Sequence, residues 1–243
     1  TSTFYYVTAA AAIIFTGVVA FGGIKKVTGV TDMMVPVMAI VYVVTVIVLI
    51  VTNLNSVPYF FSAVFGGAFQ PEAVFGGLFG TALVQGVKRG LMSNEAGQGT
   101  ITMAAAAADA KHPCEQGLIA AMGVLLDTHI ICTMTGFIVV MAHCWTGNLD
   151  VWNKAGKLPK FLMSVSDLTP GVGYNAVVTF LLTLCFCLFA YTCLIGMISY
   201  SEIAGNRISR SSSFINFIRI FGLLVAAFGI MVNIAGYDLG NLW

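Results

Sequence analysis

Residues 89–100 of the chain read RGLMSNEAGQGT and interrupt a region that is otherwise strongly apolar. The stretch contains an arginine, a glutamate, two hydroxyl side chains and three glycines. A lipid bilayer offers no hydrogen-bond partners to peptide groups, so polar, glycine-rich backbone persists at membrane depth only where it is buried in protein or lines a water-filled cavity. We therefore predict a broken membrane helix at this stretch, with a binding site at the break.

The composition indicates an integral membrane protein. Of 243 residues, 58% are hydrophobic and 9% are charged, and the mean hydropathy is +0.94. These values lie far from those of ordinary soluble domains. A net charge of +1 gives no basic field that would attract nucleic acid, so the expected partners are lipid and small solutes. The six cysteines show neither a CxxC pair nor Cys/His metal spacing, and we expect no metal centre or cofactor from them.

Apolar runs near the bilayer length of about 20 residues predict an all-α, polytopic membrane protein with one membrane domain over residues 1–243. The predicted spans are residues 5–21, 35–52, two half-helices within 72–108, then 116–143, 175–200 and 214–235, with a further span starting at 238. Residues 59–69 are too short to span and are predicted to lie along the membrane interface. The long loop at residues 145–173 is predicted to contain a short surface helix at 161–165.

Basic residues in short loops predict the orientation, because such loops resist translocation. If the spans alternate, one side of the membrane receives Lys25, Lys26, Lys111, Arg207 and Arg210. This side is predicted to be cytoplasmic. The lysines of the loop at 145–173 fall on the other side, where the length of the loop weakens the rule.

A break of this kind presents partial charges of both signs, because the first half-helix ends in free carbonyls and the second begins with free amides. An amino acid zwitterion matches this pattern. Its carboxylate can bind the amides of residues 94–99, and its ammonium group, or a sodium ion, can bind the carbonyls of residues 90–92. The alternative is that Gly97 and Gly99 serve helix packing alone. In either case we expect Arg89 and Glu95 to form an ion pair, because an unpaired charge in lipid is costly.

Two further acidic residues fall inside predicted spans. Asp127 needs a partner there, and we predict a structural role with a hydrogen bond through Thr128 or to another helix. Glu202 lies near the cytoplasmic end of its helix, where it either gates or caps; the sequence leaves both open.

Several motifs occur together in the order typical of one transporter family. They are KRGLMSNEAGQG at 88–99, HPCEQG at 112–117, DT at 127–128, CTMT at 132–135, GGIK at 22–25, VPVM at 35–38 and FAYT at 189–192. In these motifs the chain resembles the alanine or glycine:cation symporters, also called the sodium:alanine symporter family.

The resemblance implies a LeuT-type inverted-repeat fold, in which the first and sixth core helices are discontinuous. On that mapping the chain supplies core helices four to nine and the start of ten, and core helices one to three are missing. We therefore expect an incomplete transporter, the C-terminal half of one, that does not transport by itself.

The function implied by the resemblance is sodium-coupled symport of a small neutral amino acid, alanine- or glycine-like, across the plasma membrane by alternating access. Sodium would be the coupling ion, and no enzyme chemistry or organic cofactor is implied. The alternatives are a proton-coupled amino acid permease and an ion channel subunit; a membrane-embedded enzyme and a structural subunit are further classes that fit less well.

The resemblance also implies site residues. The substrate would contact Met92, Ser93, Gly97, Cys193 and Met197, and the sodium ion would contact Ser93, Thr192 and Cys193. Cys193 departs from the hydroxyl residue usual in the family, and a thiol is a poor ligand for a hard cation. Met197 stands where many relatives have a tryptophan, so its flexible thioether would leave a wider pocket.

The wider pocket predicts uptake of a substrate larger than alanine. Transport assays with alanine, glycine, serine and glutamine check this, since Met197 leaves volume that a tryptophan would fill. A protein that takes up nothing larger than alanine would contradict the prediction.

Overall fold

The computed structural model describes residues 2–69, 77–95, 97–142 and 149–234. Within these ranges it contains helices and no strand, which confirms the predicted all-α class. In chain order the helices are α1 (Ser2–Ala20), α2 (Ile24–Thr52), α3 (Val57–Ala68), α4 (Gly77–Ser93), α5 (Thr100–Ala107), α6 (Pro113–Met141), α7 (Leu149–Lys154), α8 (Lys157–Leu168), α9 (Val172–Ile208) and α10 (Ser212–Ile234).

Four helices of the described part are long and apolar enough to cross a membrane. They are the spans Lys25–Thr52, Pro113–Met141, Val172–Ile208 and Ser212–Val232. Together with the apolar composition they confirm a polytopic integral membrane protein. The predicted beginnings of the first half-helix at residue 72 and of a further span at residue 238 lie outside the described residues.

The second helix begins earlier than predicted. We expected it to start at residue 35 with Pro36 in its first turn, but α2 starts at Ile24 and contains Pro36 in its interior. The prediction followed the apolar run, which marks the hydrocarbon core of the membrane. The polar residues before that run continue the same helix beyond this core, so Lys25 and Lys26 lie in its first turn rather than in a loop.

The predicted long loop contains more helix than expected. Instead of a five-residue helix at 161–165, α8 covers Lys157–Leu168, and α7 precedes it. Phe161, Val165 and Leu168 are buried, because one face of this amphipathic helix packs against the C-terminal part of α6. The helix α9 also exceeds its prediction, since its 37 residues span about 55 Å against a hydrocarbon thickness of about 30 Å.

The residues group into two compact units. One contains the described residues of Thr1–Met38, Thr102–Ala108 and Phe186–Trp243; the other contains those of Ala39–Ile101 and Asp109–Cys185. The prediction of one membrane domain concerns the arrangement of the whole chain, and it stays a prediction.

In the first unit, an ion pair joins α9 to α10. Glu202 accepts two hydrogen bonds from Arg219, from Nη2 to Oε1 at 2.6 Å and from Nε to Oε2 at 2.9 Å. Both side chains are largely buried, with exposures of 9% for Glu202 and 13% for Arg219. The carboxylate that we expected to gate or to cap is therefore bound to a guanidinium on the next helix.

In the second unit, aromatic and aliphatic side chains surround the C-terminal part of α6. The ring of Phe60 on α3 stacks on Phe137 with centroids 3.7 Å apart. Tyr42 of α2 is buried, and its hydroxyl lies 2.6 Å from the Thr135 hydroxyl of α6. Asn53 donates to the carbonyl of Leu168 at 2.9 Å and so connects the end of α2 to the end of α8.

The buried ion pair predicts a specific stability pattern. Replacement of Arg219 by leucine leaves the Glu202 carboxylate buried without its partner and should destabilise the protein by about 3–5 kcal/mol. The double variant Glu202→Leu/Arg219→Leu should recover most of this loss, because it removes both charges. Thermal unfolding of the purified protein in detergent measures the effect.

The matched control is Arg207→Leu, which removes an exposed arginine of α9 and should change stability by less than about 0.5 kcal/mol. A double variant as unstable as Arg219→Leu alone would contradict the interpretation.

Candidate functional site

The predicted break is present. The helix α4 ends at Ser93 and α5 begins at Thr100, so the two half-helices are separate. The amide of Asn94 donates to the carbonyl of Gly90 at 3.1 Å, and the amide of Glu95 donates to that of Met92 at 3.2 Å. We had expected both carbonyls to be free for a ligand. Each already accepts one backbone hydrogen bond and retains one further lone pair for a cation.

The backbone at the break lies in the left-handed region three times within five residues. The φ angles are 51° at Glu95 and 81° at both Gly97 and Gly99. Glu95 is the only non-glycine residue with positive φ among those described, and this conformation costs roughly 1–2 kcal/mol. Sequence analysis placed Gly97 and Gly99 at the break, for close approach of a ligand or for helix packing, and did not predict the left-handed conformation at any of the three residues.

The structure does not form the predicted ion pair between Arg89 and Glu95. Among the described residues the one ion pair is that of Arg219 with Glu202. The Glu95 carboxylate instead accepts a hydrogen bond from the hydroxyl of Thr100, the first residue of α5. The positive end of a helix dipole favours a carboxylate at this position, and the turn after Ser93 directs Glu95 toward α5 rather than back to α4.

Side chains of α6 bind the end of α4. The Ser93 hydroxyl donates to Asp127 Oδ2 at 2.7 Å, and the Thr128 hydroxyl donates to Asn94 Oδ1. The Ser93 oxygen also lies 3.4 Å from the Thr128 hydroxyl and 3.5 Å from the Cys132 sulfur. Asp127 thus has the interhelical hydrogen bond that was one of our two expectations.

The α6 residues that make these contacts lie in a π-helical segment, Leu125–Cys132, in the middle of the helix. Segments of π-helix are rare and often occur at functional sites. Sequence analysis did not predict it, since a π turn changes the hydrogen-bond pattern of the backbone without a characteristic residue type. The polar group at Asp127 and Thr128 inside an apolar span was the available signal.

The predicted pocket residues divide between the two units. Met92, Ser93 and Gly97 belong to the unit that contains the break, where Met92 is 55% exposed and Gly97 faces open space. Thr192, Cys193 and Met197 lie on α9 in the other unit. The Thr192 hydroxyl donates to the carbonyl of Phe189 at 2.9 Å, and Met197 is 48% exposed. That both groups line one pocket stays a prediction.

An open hollow of about 430 Å³ lies elsewhere in the unit that contains the break. Its lining consists of Thr169, Gly171, Val172, Asn175 and Ala176. None of these residues belongs to the predicted site. The break, with its polar side chains and backbone, is therefore a better candidate for the binding site than this hollow.

Comparison with known proteins supports the sequence resemblance. The sequence model of the sodium:alanine symporter family matches residues 2–237. The chain belongs to this family. It is therefore part of a transporter family and not of an enzyme family, which confirms the recognition made from the motifs.

Three relatives illustrate the range of the family. The chain is 36% identical over 193 residues to the sodium/alanine symporter AgcS of Methanococcus maripaludis, which covers 78% of the chain and 40% of AgcS. It is 34% identical over 228 residues to the "Probable sodium/glutamine symporter GlnT" of Bacillus subtilis, an alignment that covers 93% of the chain and 46% of GlnT. It is 39% identical over 160 residues to the sodium/proton-dependent alanine carrier protein of Bacillus sp. strain PS3, an alignment that covers 65% of the chain and 35% of the carrier protein. The chain thus spans less than half the length of these symporters.

The backbone of the break predicts different outcomes for two glycine substitutions in this symporter-family chain. Gly97→Ala forces an alanine to a φ of 81° and should destabilise the protein by about 1–2 kcal/mol, although among the described residues, chain neighbours aside, nothing lies within 4 Å of the new methyl group. Gly86→Ala, in the middle of α4 and equally open, should stabilise by up to about 1 kcal/mol. Thermal unfolding in detergent compares the two, and equal effects would contradict the left-handed conformation at Gly97.

Proposed function

We propose that the chain forms part of a sodium-coupled symporter that moves a small neutral amino acid across the plasma membrane by alternating access. The observation that supports this most directly is the break between α4 and α5, where polar side chains and left-handed backbone separate two helices. Membership in the sodium:alanine symporter family supports the substrate class and the ion. A LeuT-type fold, with this break as the discontinuous sixth core helix, is part of the proposal.

The proposed binding mode follows from the chemistry of the break. The substrate carboxylate binds near the first turn of α5, where the helix dipole is positive, since the amides of Asn94, Glu95 and Gln98 already donate to backbone carbonyls. The ammonium group and the sodium ion bind oxygen atoms, among them the Ser93 hydroxyl and the second lone pairs of the Gly90 and Met92 carbonyls. Met92 and Gly97 border the substrate.

The family resemblance also assigns residues of α9 to binding. Thr192 offers a hydroxyl oxygen to the sodium ion, whereas the Cys193 thiol is a weak substitute for the hydroxyl usual there. Met197 sets the volume available to the substrate side chain. The "Probable sodium/glutamine symporter GlnT" among the relatives supports a substrate larger than alanine.

Energy for accumulation comes from the ion. Each sodium charge that moves across about 100 mV contributes roughly 2.3 kcal/mol, which corresponds to a concentration ratio near 50. Binding of sodium and substrate together favours one of the two transporter conformations and so couples their movements. Proton coupling is the second candidate, and the relative named sodium/proton-dependent supports it.

Uptake by the full-length protein in proteoliposomes tests the proposal. An inward sodium gradient should drive saturable alanine uptake, and an inside-negative potential should increase it, because net positive charge enters with the substrate. Replacement of sodium by potassium should abolish accumulation. Uptake driven by a proton gradient without sodium would support the second candidate, and ion flux without substrate would contradict both.

A pair of serine variants tests the site. Ser93→Ala should raise the sodium concentration for half-maximal uptake by about tenfold, because one oxygen ligand is lost. The control is Ser201→Ala on α9, whose exposed hydroxyl donates to the carbonyl of Met197 four residues earlier and which should leave uptake unchanged.

A further inference from the structure

Two neighbouring residues of α6 contact two neighbouring residues at the end of α4. Asp127 accepts from the Ser93 hydroxyl at 2.7 Å, and Thr128 donates to the side-chain oxygen of Asn94. All four residues belong to the same compact unit. The contacts therefore form a paired connection between the break and the π-helical segment.

The π geometry makes this pairing possible. In an α-helix, with 3.6 residues per turn, successive side chains diverge by about 100°. A π turn is wider, so the angle between successive side chains is smaller. Asp127 and Thr128 lie within the segment Leu125–Cys132 and can therefore both face the end of α4.

The direction of the first hydrogen bond determines what Ser93 can bind. The Ser93 hydroxyl is the donor and the Asp127 carboxylate oxygen is the acceptor. A serine hydroxyl has one hydrogen and two lone pairs. Because Asp127 takes the hydrogen, the Ser93 oxygen can offer only lone pairs to a ligand, which suits a sodium ion or an ammonium group and excludes a carboxylate.

The Thr128 bond has the complementary effect on Asn94. It takes one lone pair of the amide oxygen and so sets the direction of the NH₂ group of Asn94, which is a donor. The end of α4 thus presents an acceptor at Ser93 and a donor at Asn94, side by side. This polarity matches the two charged groups of an amino acid.

We propose that Asp127 and Thr128 are positioning residues that fix the end of α4 and orient Ser93 as an acceptor for the cation or ammonium group and Asn94 as a donor for the substrate carboxylate. Neither residue contacts the ligand; each acts through its partner on α4. The inference rests on the proposed binding of substrate and ion at the break. It changes our sequence-based view of Asp127 from a structural residue to one that sets the polarity of the site.

A double-variant comparison tests whether Asp127 acts through Ser93. Asp127→Ala should raise the sodium concentration for half-maximal uptake by about tenfold, in the range typical of residues that orient a ligand-binding group. In the Ser93→Ala background, the same substitution should add less than about twofold, since the group that Asp127 orients is already absent. A further tenfold loss in that background would show that the carboxylate binds the ion itself and would overturn the proposal.

A cross-linking experiment tests the geometry without transport. The Ser93 oxygen lies 3.5 Å from the Cys132 sulfur, so Ser93→Cys should form a disulfide with Cys132 under mild oxidation in membranes. The other cysteines are replaced by alanine, and a protease site is inserted between α5 and α6. After cleavage, the two fragments run separately on a non-reducing gel unless the disulfide joins them. This variant also serves as the background for the Thr128 substitutions.

Thr128→Val removes the hydroxyl that binds Asn94 and should slow the cross-link several-fold, whereas Thr128→Ser retains the hydroxyl and should not. Equal rates in the two variants would overturn the positioning role of Thr128. The cross-link does not depend on uptake, so a cross-link that forms as expected, together with an unmodified full-length protein that fails to transport, would contradict the proposed function alone. If the Ser93→Cys protein does not form the disulfide with Cys132, with or without a Thr128 substitution, α4 and α6 do not make this contact and the inference is wrong.

Discussion

A membrane helix can be interrupted only if the peptide groups and polar side chains at the interruption find partners within the protein or in a water-filled cavity. The turn after Ser93 meets this constraint in three ways. The backbone amides of Asn94 and Glu95 donate hydrogen bonds to carbonyls of the last turn of α4. The Glu95 carboxylate accepts from Thr100 at the start of α5, and Ser93 and Asn94 bind side chains of α6. The side chains of Ser93, Asn94 and Glu95 are therefore all held by hydrogen bonds within the protein.

The electrostatics of the chain follow from the same constraint. Glu202 and Arg219 lie close together and largely buried, so each charge has a partner of opposite sign. At the break the chain uses a different solution, because hydroxyl groups rather than a guanidinium bind the carboxylates of Asp127 and Glu95. A guanidinium there would neutralise the carboxylates and compete with a cationic ligand. The carboxylates of Asp127 and Glu95 are instead each hydrogen-bonded to the neutral hydroxyl group of a residue at the break.

Much of this organisation was visible in the sequence, and the exceptions have physical reasons. The break could be predicted because polar, glycine-rich residues in an apolar span permit few structures, and the all-α class follows from the length of the apolar runs. The predicted start of α2 was wrong, because hydropathy indicates which residues lie in the hydrocarbon core and not where a helix begins. The pairing of Arg89 with Glu95 was wrong because opposite charges near each other in sequence do not reveal the direction of the turn between them. A hydrogen bond from Asp127 to another helix was expected, but its partner Ser93 could not be predicted, since the two residues are more than thirty positions apart.

The π-helical segment of α6 has a consequence for how surfaces of this helix are assigned. The wider turns change the rotation per residue. A single helical wheel drawn over Pro113–Met141 therefore assigns the residues after the π-helical segment to the wrong face of the helix. The buried residues Ile138 and Met141 follow the segment, and their phase relative to Pro113–Val124 is not the one that a 3.6-residue projection gives. Lipid-facing and protein-facing positions in this span have to be read from two separate wheels, one for each flank.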